Sequence, residues 1–353
     1  MINLNKKLLI LIIFLIIFIN LSVNIQAKSY IKDSLNRKVS IPEQIERVVA
    51  VGAGALRIVT YLELTDMIVG IEDFEKRSPG RPYLYAHPEI LELPIIGPIH
   101  GGDAELIAAN KPELIIWTYA TVAEASILQK KTGIPVVVIV GGSPRTMDLP
   151  ELKAGLLLCG EILNKKERAA NIIKYIDDII EDLRSRTEEV TGKEEKRVYI
   201  GGVGQRGSHG IISTEPAYPS FNFLQINNIA SQISSTHVMV SKEKLLEWDP
   251  EIIFVDEFGL SLVQNNLKSP VYSTLTAIKE NNIYGLLPYN FYSTNFGTLL
   301  ANSYYIGKII YPQKFADIDP CIKADEIYTK ILGKPVYKKL ECKYGGYKKI
   351  ETN

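Results

Sequence analysis

The sequence predicts an α/β protein of two Rossmann-like lobes with parallel sheets, joined by a single long helix. Short apolar runs rich in β-branched residues alternate with helical stretches, the pattern of parallel βαβ units. Two motifs recur in the same order in two parts of the chain, and one amphipathic helical stretch lies between the copies.

The strand runs of the first part are residues 47–51, 67–71, 114–118 and 136–140. Those of the second are 197–201, 252–256 and 283–287, with Gly and Pro at the ends where tight loops belong. Arg47-Val48-Val49-Ala50-Val51-Gly52-Ala53-Gly54 and Arg197-Val198-Tyr199-Ile200-Gly201-Gly202-Val203-Gly204 share the pattern R-V-x-x-x-G-x-G. Glu105 stands seven residues before Pro112-Glu113-Leu114-Ile115, and Glu243 stands seven before Pro250-Glu251-Ile252-Ile253. The offsets of 150 and 138 keep the order of parts with slightly different loops. Between the copies, Ala169, Ile172, Ile173, Ile176, Ile179, Ile180 and Leu183 form one apolar stripe at spacings of three and four. A helix over 165–190 spans about 39 Å, with Asn164 and Glu167 as its capping pair. A single helical crossing resists bending, so large hinge closure is not expected.

Lys6 and Lys7 precede twelve unbroken apolar residues, Leu8 to Ile19, and Ala27 offers a small residue for cleavage. This is a secretory signal, with an uncleaved anchor as the second choice, and it places the chain outside the cytoplasm. The expected organisation is a signal or anchor at 1–27, a first lobe at 28–150, a helical region at 151–192, a second lobe at 193–320, and a tail at 321–353 packed on the lobes. Hydrophobic residues at 46% and charged residues at 23% exclude a disordered chain. Lys+Arg and Asp+Glu balance at 40 each with no basic block, which excludes nucleic acid as a default partner. The first cysteine is Cys159, so no lipidated N-terminal cysteine is expected. The three cysteines are too far apart for a metal ribbon or a CxxC pair. Cys159 reads as a small buried hydrophobe. Cys321 and Cys342 are candidates for a disulfide, with two free thiols as the alternative.

Gly202-x-Gly204-x-x-Gly207 matches the dinucleotide fingerprint literally, but Ser208-His209-Gly210, Pro216 and Pro219 follow where a helix is required. The four His show no metal-ligand spacing, and there is no GxSxG and no acid–base pair, so neither a bound metal nor catalysis is expected. A ligand belongs between the lobes, at the loops after the C-terminal ends of the parallel strands. The candidates there are Arg57, Trp117, Tyr119, Arg206, His209, Tyr218 and Tyr292. Aromatic faces with guanidinium donors suit a bulky, planar or anionic chelate, the alternative being that the aromatics only pack the lobes. His209 is the candidate axial ligand to haem or cobalt. Asp103 and Ser241 are N-cap residues two positions before Glu105 and Glu243. Each Glu is then either an ordinary helix-start residue or one of a pair of exposed carboxylates able to meet Arg residues on a two-fold partner.

The segments Ala104-Glu105-Leu106 to Lys111-Pro112-Glu113-Leu114-Ile115 and Ser241-Lys242-Glu243 to Asp249-Pro250-Glu251-Ile252-Ile253, set in a lobe–helix–lobe order, resemble those of ABC-importer substrate-binding proteins. The likeness is to the class that captures ferric siderophores, haem and cobalamin, and it covers roughly residues 40–320. Leu287-Pro288-Tyr289-Asn290, Tyr304-Tyr305-Ile306-Gly307-Lys308 and Tyr311-Pro312 are similar to an iron-transport subgroup. The resemblance implies the class III periplasmic-binding-protein fold, an iron chelate or corrinoid as cargo, no intrinsic cofactor and no enzyme activity. It implies an ABC permease dimer with its cytoplasmic ATPase as partner, docked through Glu105 and Glu243. It also implies a monomer, held at the membrane by its N-terminal segment or by docking. The alternatives on the same scaffold are an extracytoplasmic metal chelatase and a ligand-sensing module.

Overall fold

A computed structural model describes residues 28–142, 147–188 and 196–351, so the expected signal or anchor at 1–27 lies outside the described residues. Among these residues no helix is long and apolar enough to cross a membrane. The chain opens with an antiparallel hairpin, β1 (Lys28–Lys32) and β2 (Lys38–Pro42). The parallel strands β3 (Val48–Val51), β4 (Leu114–Ala120) and β5 (Val136–Gly141) follow, with β4 in the centre. The hairpin covers the β5 edge: Asp33 accepts from Val138 N at 3.3 Å and pairs with Arg37, which also donates to the Val136 carbonyl. The second lobe repeats the plan with β6 (Val198–Gly201), the short antiparallel pair β7 (Ser213–Thr214) and β8 (Val238–Met239), and then β9 (Ile252–Asp256) and β10 (Ile283–Leu286). Its parallel sheet has the order β10-β9-β6, again with the second strand in the centre.

Both sheets are buried on both faces, as parallel sheets are, and the period-two alternation sorts their residues into different cores. Val48, Ala50, Ile252 and Phe254 face one central core that runs through both lobes. Val49 and Val51 face the outer core of the first lobe, and Ile253 and Val255 that of the second. The internal repeat is structural. Glu113 Oε2 accepts from Arg47 N at 3.1 Å, and Glu251 Oε2 accepts from Arg197 N at 2.9 Å. Gly52 and Gly202 take φ of 88° and 74° at equivalent turns, a backbone state open to glycine at little cost. A Cβ at Gly52 would collide with the Thr118 carbonyl on β4, and one at Gly202 would lie 3.0 Å from the Asp256 carbonyl on β9.

The run at 67–71 is not a full strand. A 3-10 turn, Thr65–Met67, takes its start, and only single bridges join Ile68 to Val48 and Ile71 to Ile95. The long helix is Lys166–Thr187, about 33 Å, with its stripe from Ala169 to Leu183 buried except for the half-buried Ile173. Asn164 is not its cap: it adopts a left-handed φ of 55° in the preceding turn, and Lys165 holds the cap position without a side-chain bond. Arg168 binds the Tyr61 carbonyl in the first lobe, and Gln225 of the second lobe donates to Thr187 at the other end.

Besides the long helix, the C-terminal segment touches both lobes. After β10 comes the helix Phe296–Ile310, almost wholly buried. Helix Pro320–Leu332 then packs beside it, with Tyr328 and Thr298 hydroxyls 2.9 Å apart, and His87 of the first lobe meets the Leu332 carbonyl. Residues 348–350 return to the second lobe as an antiparallel edge on β10. A buried helix of this kind needs cover on every side, and the C-terminal segment supplies it. The bridge between Cys321 and Cys342 is not formed: both are free thiols, Cys321 engaging the Tyr337 hydroxyl and Cys342 exposed. Cys159 is buried, and desolvation pushes its thiol up to about 12.

Candidate functional site

The loop between β10 and helix Phe296–Ile310, residues 289–295, is inserted from the second lobe into the first. Tyr292 and Ser293 take φ of 53° and 71°, consecutive left-handed residues that persist only where surrounding bonds hold them. Those bonds are numerous. Arg57 donates from Nε to Asn295 Oδ1 at 3.2 Å and from Nη2 to the carbonyls of Phe291 and Tyr292 at 3.2 and 3.0 Å. Met147 N donates to Ser293 Oγ at 2.9 Å, and the Tyr292 hydroxyl donates to Glu72.

Glu72 is the hub of this contact. Its other oxygen accepts from Gly52 N and Gly101 N, both at 3.1 Å. Burial raises its carboxyl to about 7, against the opposing effect of these bonds. One turn on, Glu75 pairs with Arg81 at 2.6 Å and accepts from the Tyr83 hydroxyl at 3.0 Å. Arg81 lies among the rings of Phe74, Tyr83, Phe291 and Tyr292, 4.8–5.8 Å from their centroids. Even so, Arg81 Nε and Nη1 and Arg57 Nη1 are buried without a hydrogen-bond partner among the described residues. Gly54 keeps room beside that last nitrogen: a Cβ there would stand 3.2 Å from Arg57 Nη1.

Over these charges runs a strip of half-exposed rings. His100 lies at a tilt to Tyr292 at 5.6 Å, Tyr292 meets Phe74 edge-on at 4.9 Å, Phe74 meets Phe291 edge-on at 6.1 Å, and Phe291 meets Phe258 at 5.0 Å. Asn290 donates to the Gly204 carbonyl and so joins the strip to the second-lobe loop carrying Arg206 and His209. Arg206 is exposed with φ 54°, and His209 is half-buried.

Three of the expected cleft residues lie in packing instead. Tyr218 is fully buried, edge-on to Phe221 and Tyr289, because it opens helix Pro219–Phe223 with its ring in the central core. Trp117 is buried in the middle of β4 against the outer core, where Gly52 and Gly101 make room for its ring. Tyr119 is buried with φ 60°, its hydroxyl 3.5 Å from Glu151. Conversely, nothing in the sequence marks Glu72, Phe74, Glu75 and Arg81 as site residues. The stretch Glu72-Asp73-Phe74-Glu75-Lys76-Arg77 has the composition of a surface helix, and only the inserted loop turns it into a cleft wall. Glu105 and Glu243 are exposed in the first turns of helices Ala104–Ala109 and Lys242–Trp248, under caps formed by Asp103 and Ser241.

A profile of the family described as "Periplasmic binding protein" matches residues 48–289. The molybdate-binding protein MolA of Haemophilus influenzae is 26% identical over 340 residues, covering 88% of this chain and 93% of that protein. Its structure with molybdate bound aligns with a TM-score of 0.70 at 25% identity, over 87% of this chain and 98% of that one. A periplasmic solute binding protein of Veillonella parvula aligns with a TM-score of 0.71 at 19% identity, over 90% and 97% of the two chains. An uncharacterised ABC transporter substrate-binding lipoprotein of Bacillus subtilis, YvrC, is 19% identical, over 81% of this chain and 87% of that one.

Proposed function

We propose that this chain, which belongs to the periplasmic binding protein family and is the extracytoplasmic substrate-binding protein of an ABC transporter, captures an oxyanion of the molybdate class between its lobes. The observation that carries the reading is Arg57: a wholly buried guanidinium whose partners among the described residues are carbonyls and the Asn295 amide, with no carboxylate among them, and whose Nη1 beside Gly54 has no partner among the described residues. A buried cation without a counter-charge is costly, and an anionic guest offsets that cost. Arg81 is charge-paired with Glu75, and its Nε and Nη1 add two donor atoms without a partner among the described residues, not net charge. The name of the Haemophilus relative favours an oxyanion over an organic chelate.

A second reading keeps an iron chelate, namely a ferric siderophore, haem or cobalamin, as cargo. The strip from His100 to Phe258 favours it, because half-exposed rings offer faces for a planar guest. Thermal unfolding with molybdate, tungstate, sulfate, phosphate and ferric chelates separates the two. A ligand at a hundred times its dissociation constant adds about 2.7 kcal/mol. A response to molybdate or tungstate alone supports the oxyanion; a response to a chelate alone overturns it.

The protein works by capture and delivery and is not an enzyme, which removes the chelatase alternative. Its partners in this reading are a permease dimer and its ATPase, met by Glu105 on one lobe and Glu243 on the other. Their equivalent places, each ahead of a left-handed residue (Lys111 at φ 48°, Asp249 at φ 42°) and a Pro-Glu strand start, support a symmetric docking pair.

A further inference from the structure

Helix Tyr337–Tyr344 and residues 345–351 are bonded to both lobes. On the first lobe, Lys339 Nζ donates to the Tyr85 carbonyl at 2.9 Å, and the Tyr344 hydroxyl donates to the Gly80 carbonyl at 3.1 Å. On the second, Gly346 N donates to Glu257 Oε2 at 2.9 Å. Gly285 N donates to the Lys348 carbonyl, and Ile350 N to the Ile283 carbonyl, both at 2.9 Å. Tyr347 stacks on Tyr305 with centroids 4.6 Å apart, and its hydroxyl donates to Asn302 Oδ1. The short step from Tyr344 to Gly346 therefore spans from one lobe to the other. Both anchor points adjoin the cleft: Gly80 precedes Arg81, and Glu257 precedes Phe258 of the aromatic strip.

Glu257 is the vulnerable anchor. It is buried, and its Oε1 has no partner among the described residues. Glycines close the space around that oxygen, for a Cβ on Gly285 of β10 or on Gly345 would collide with it. The charged and titratable groups facing the carboxyl are Asp256 at the end of β9, Glu341 on helix Tyr337–Tyr344, Lys348 beyond it, and Tyr305 on helix Phe296–Ile310. Two acids against one lysine do not compensate a charge on Glu257, and a bare buried charge costs far more than a bare neutral oxygen. Burial pushes the carboxyl up to about 8, with Asp256 and Glu341 adding to the rise and the Gly346 N–H and Lys348 opposing it. Released into water, a glutamate titrates near ~4.

We propose that residues 337–351 form a releasable strap across the two lobes, whose hold on the second lobe requires a neutral Glu257, so that the strap is tight in acid and loosens towards neutral pH. In acid the carboxyl is neutral whether the strap is closed or released, and closure has its full strength. Between about 4 and about 8 the released strap gives up a proton that the closed one keeps, so release gains tenfold per pH unit. Above about 8 both forms are ionised and the gain levels off. The strap is independent of the cargo, because its test needs none. That test is hydrogen exchange of the purified protein across the interval from about pH 5 to about pH 8, with rates corrected for the pH dependence of intrinsic exchange. The expected result is that protection of the amides in 345–351 falls about tenfold per pH unit, while the β4 amides stay better protected throughout. Glu257→Gln keeps an acceptor for Gly346 N and cannot ionise, so its protection should not change with pH; melting curves establish that it is folded. A wild-type strap whose protection is flat with pH overturns the proposal whatever the variant does. So does a folded Glu257→Gln that follows the wild-type slope, or a strap that loses protection only together with β4.

Discussion

The Tyr292 hydroxyl, carried by a loop of the second lobe, donates to the buried carboxylate of Glu72 in the first. Glu72 in turn holds the turn at Gly52 and the loop at Gly101, so one side chain couples both walls of the cleft. With Arg57 gripping the same loop and a continuous core behind it, the lobes are tied through polar bonds as well as apolar packing. Small adjustments around the inserted loop, rather than wide hinge closure, are the motion this architecture permits.

Tyr292→Phe removes one buried, charge-assisted bond and leaves a Glu72 oxygen unmatched. The expected loss is about 1–3 kcal/mol, measured by urea unfolding. A variant as stable as the wild type would remove the latch from the account.

Stability should fall as pH rises from 5 to 8. Desolvation raises Glu72, Glu215 and Asp256 to about 7 and Glu257 to about 8. The folded chain therefore keeps protons that the unfolded chain, with carboxyls near 4, has already released. Stability is highest below this window and declines through it, by roughly 1.4 kcal/mol per pH unit for each carboxyl in the window. Calorimetric melting across the range should show the decline, with a shallower slope in Glu72→Gln.

Gly52→Ala should be far more damaging than a surface change of the same size, since the new Cβ meets the Thr118 carbonyl at a positive φ. A loss of more than about 1 kcal/mol in denaturant midpoint is expected. Gly202→Ala should show a milder loss, its nearest contact being 3.0 Å.

Glu105→Ala with Glu243→Ala should abolish uptake in cells while leaving cargo affinity unchanged. Both residues are exposed at helix starts, so a loss of affinity in the double variant would contradict their docking role.

The parts of this fold that depend on local repetition were legible in the sequence. The R-V-x-x-x-G-x-G and P-E pairs became equivalent strands and equivalent Arg–Glu bonds, and the stripe from Ala169 to Leu183 became the spine. What depends on distant contact was not. Tyr218 and Trp117 look the same in sequence as cleft aromatics, and only packing against Phe221, Tyr289 and the outer core buries them. Glu72, Glu75 and Arg81 become a buried polar cluster only because a loop more than two hundred residues later is inserted over them.

The central claim, an anion held by Arg57 through the Nη1 that has no partner among the described residues, is tested most directly by calorimetric titration of molybdate into the wild type and into Arg57→Gln. The account predicts one-to-one binding to the wild type and a loss of at least about tenfold in the folded variant, the 1.4 kcal/mol or more expected of a charge-assisted bond. Equal affinity in the two proteins would contradict it.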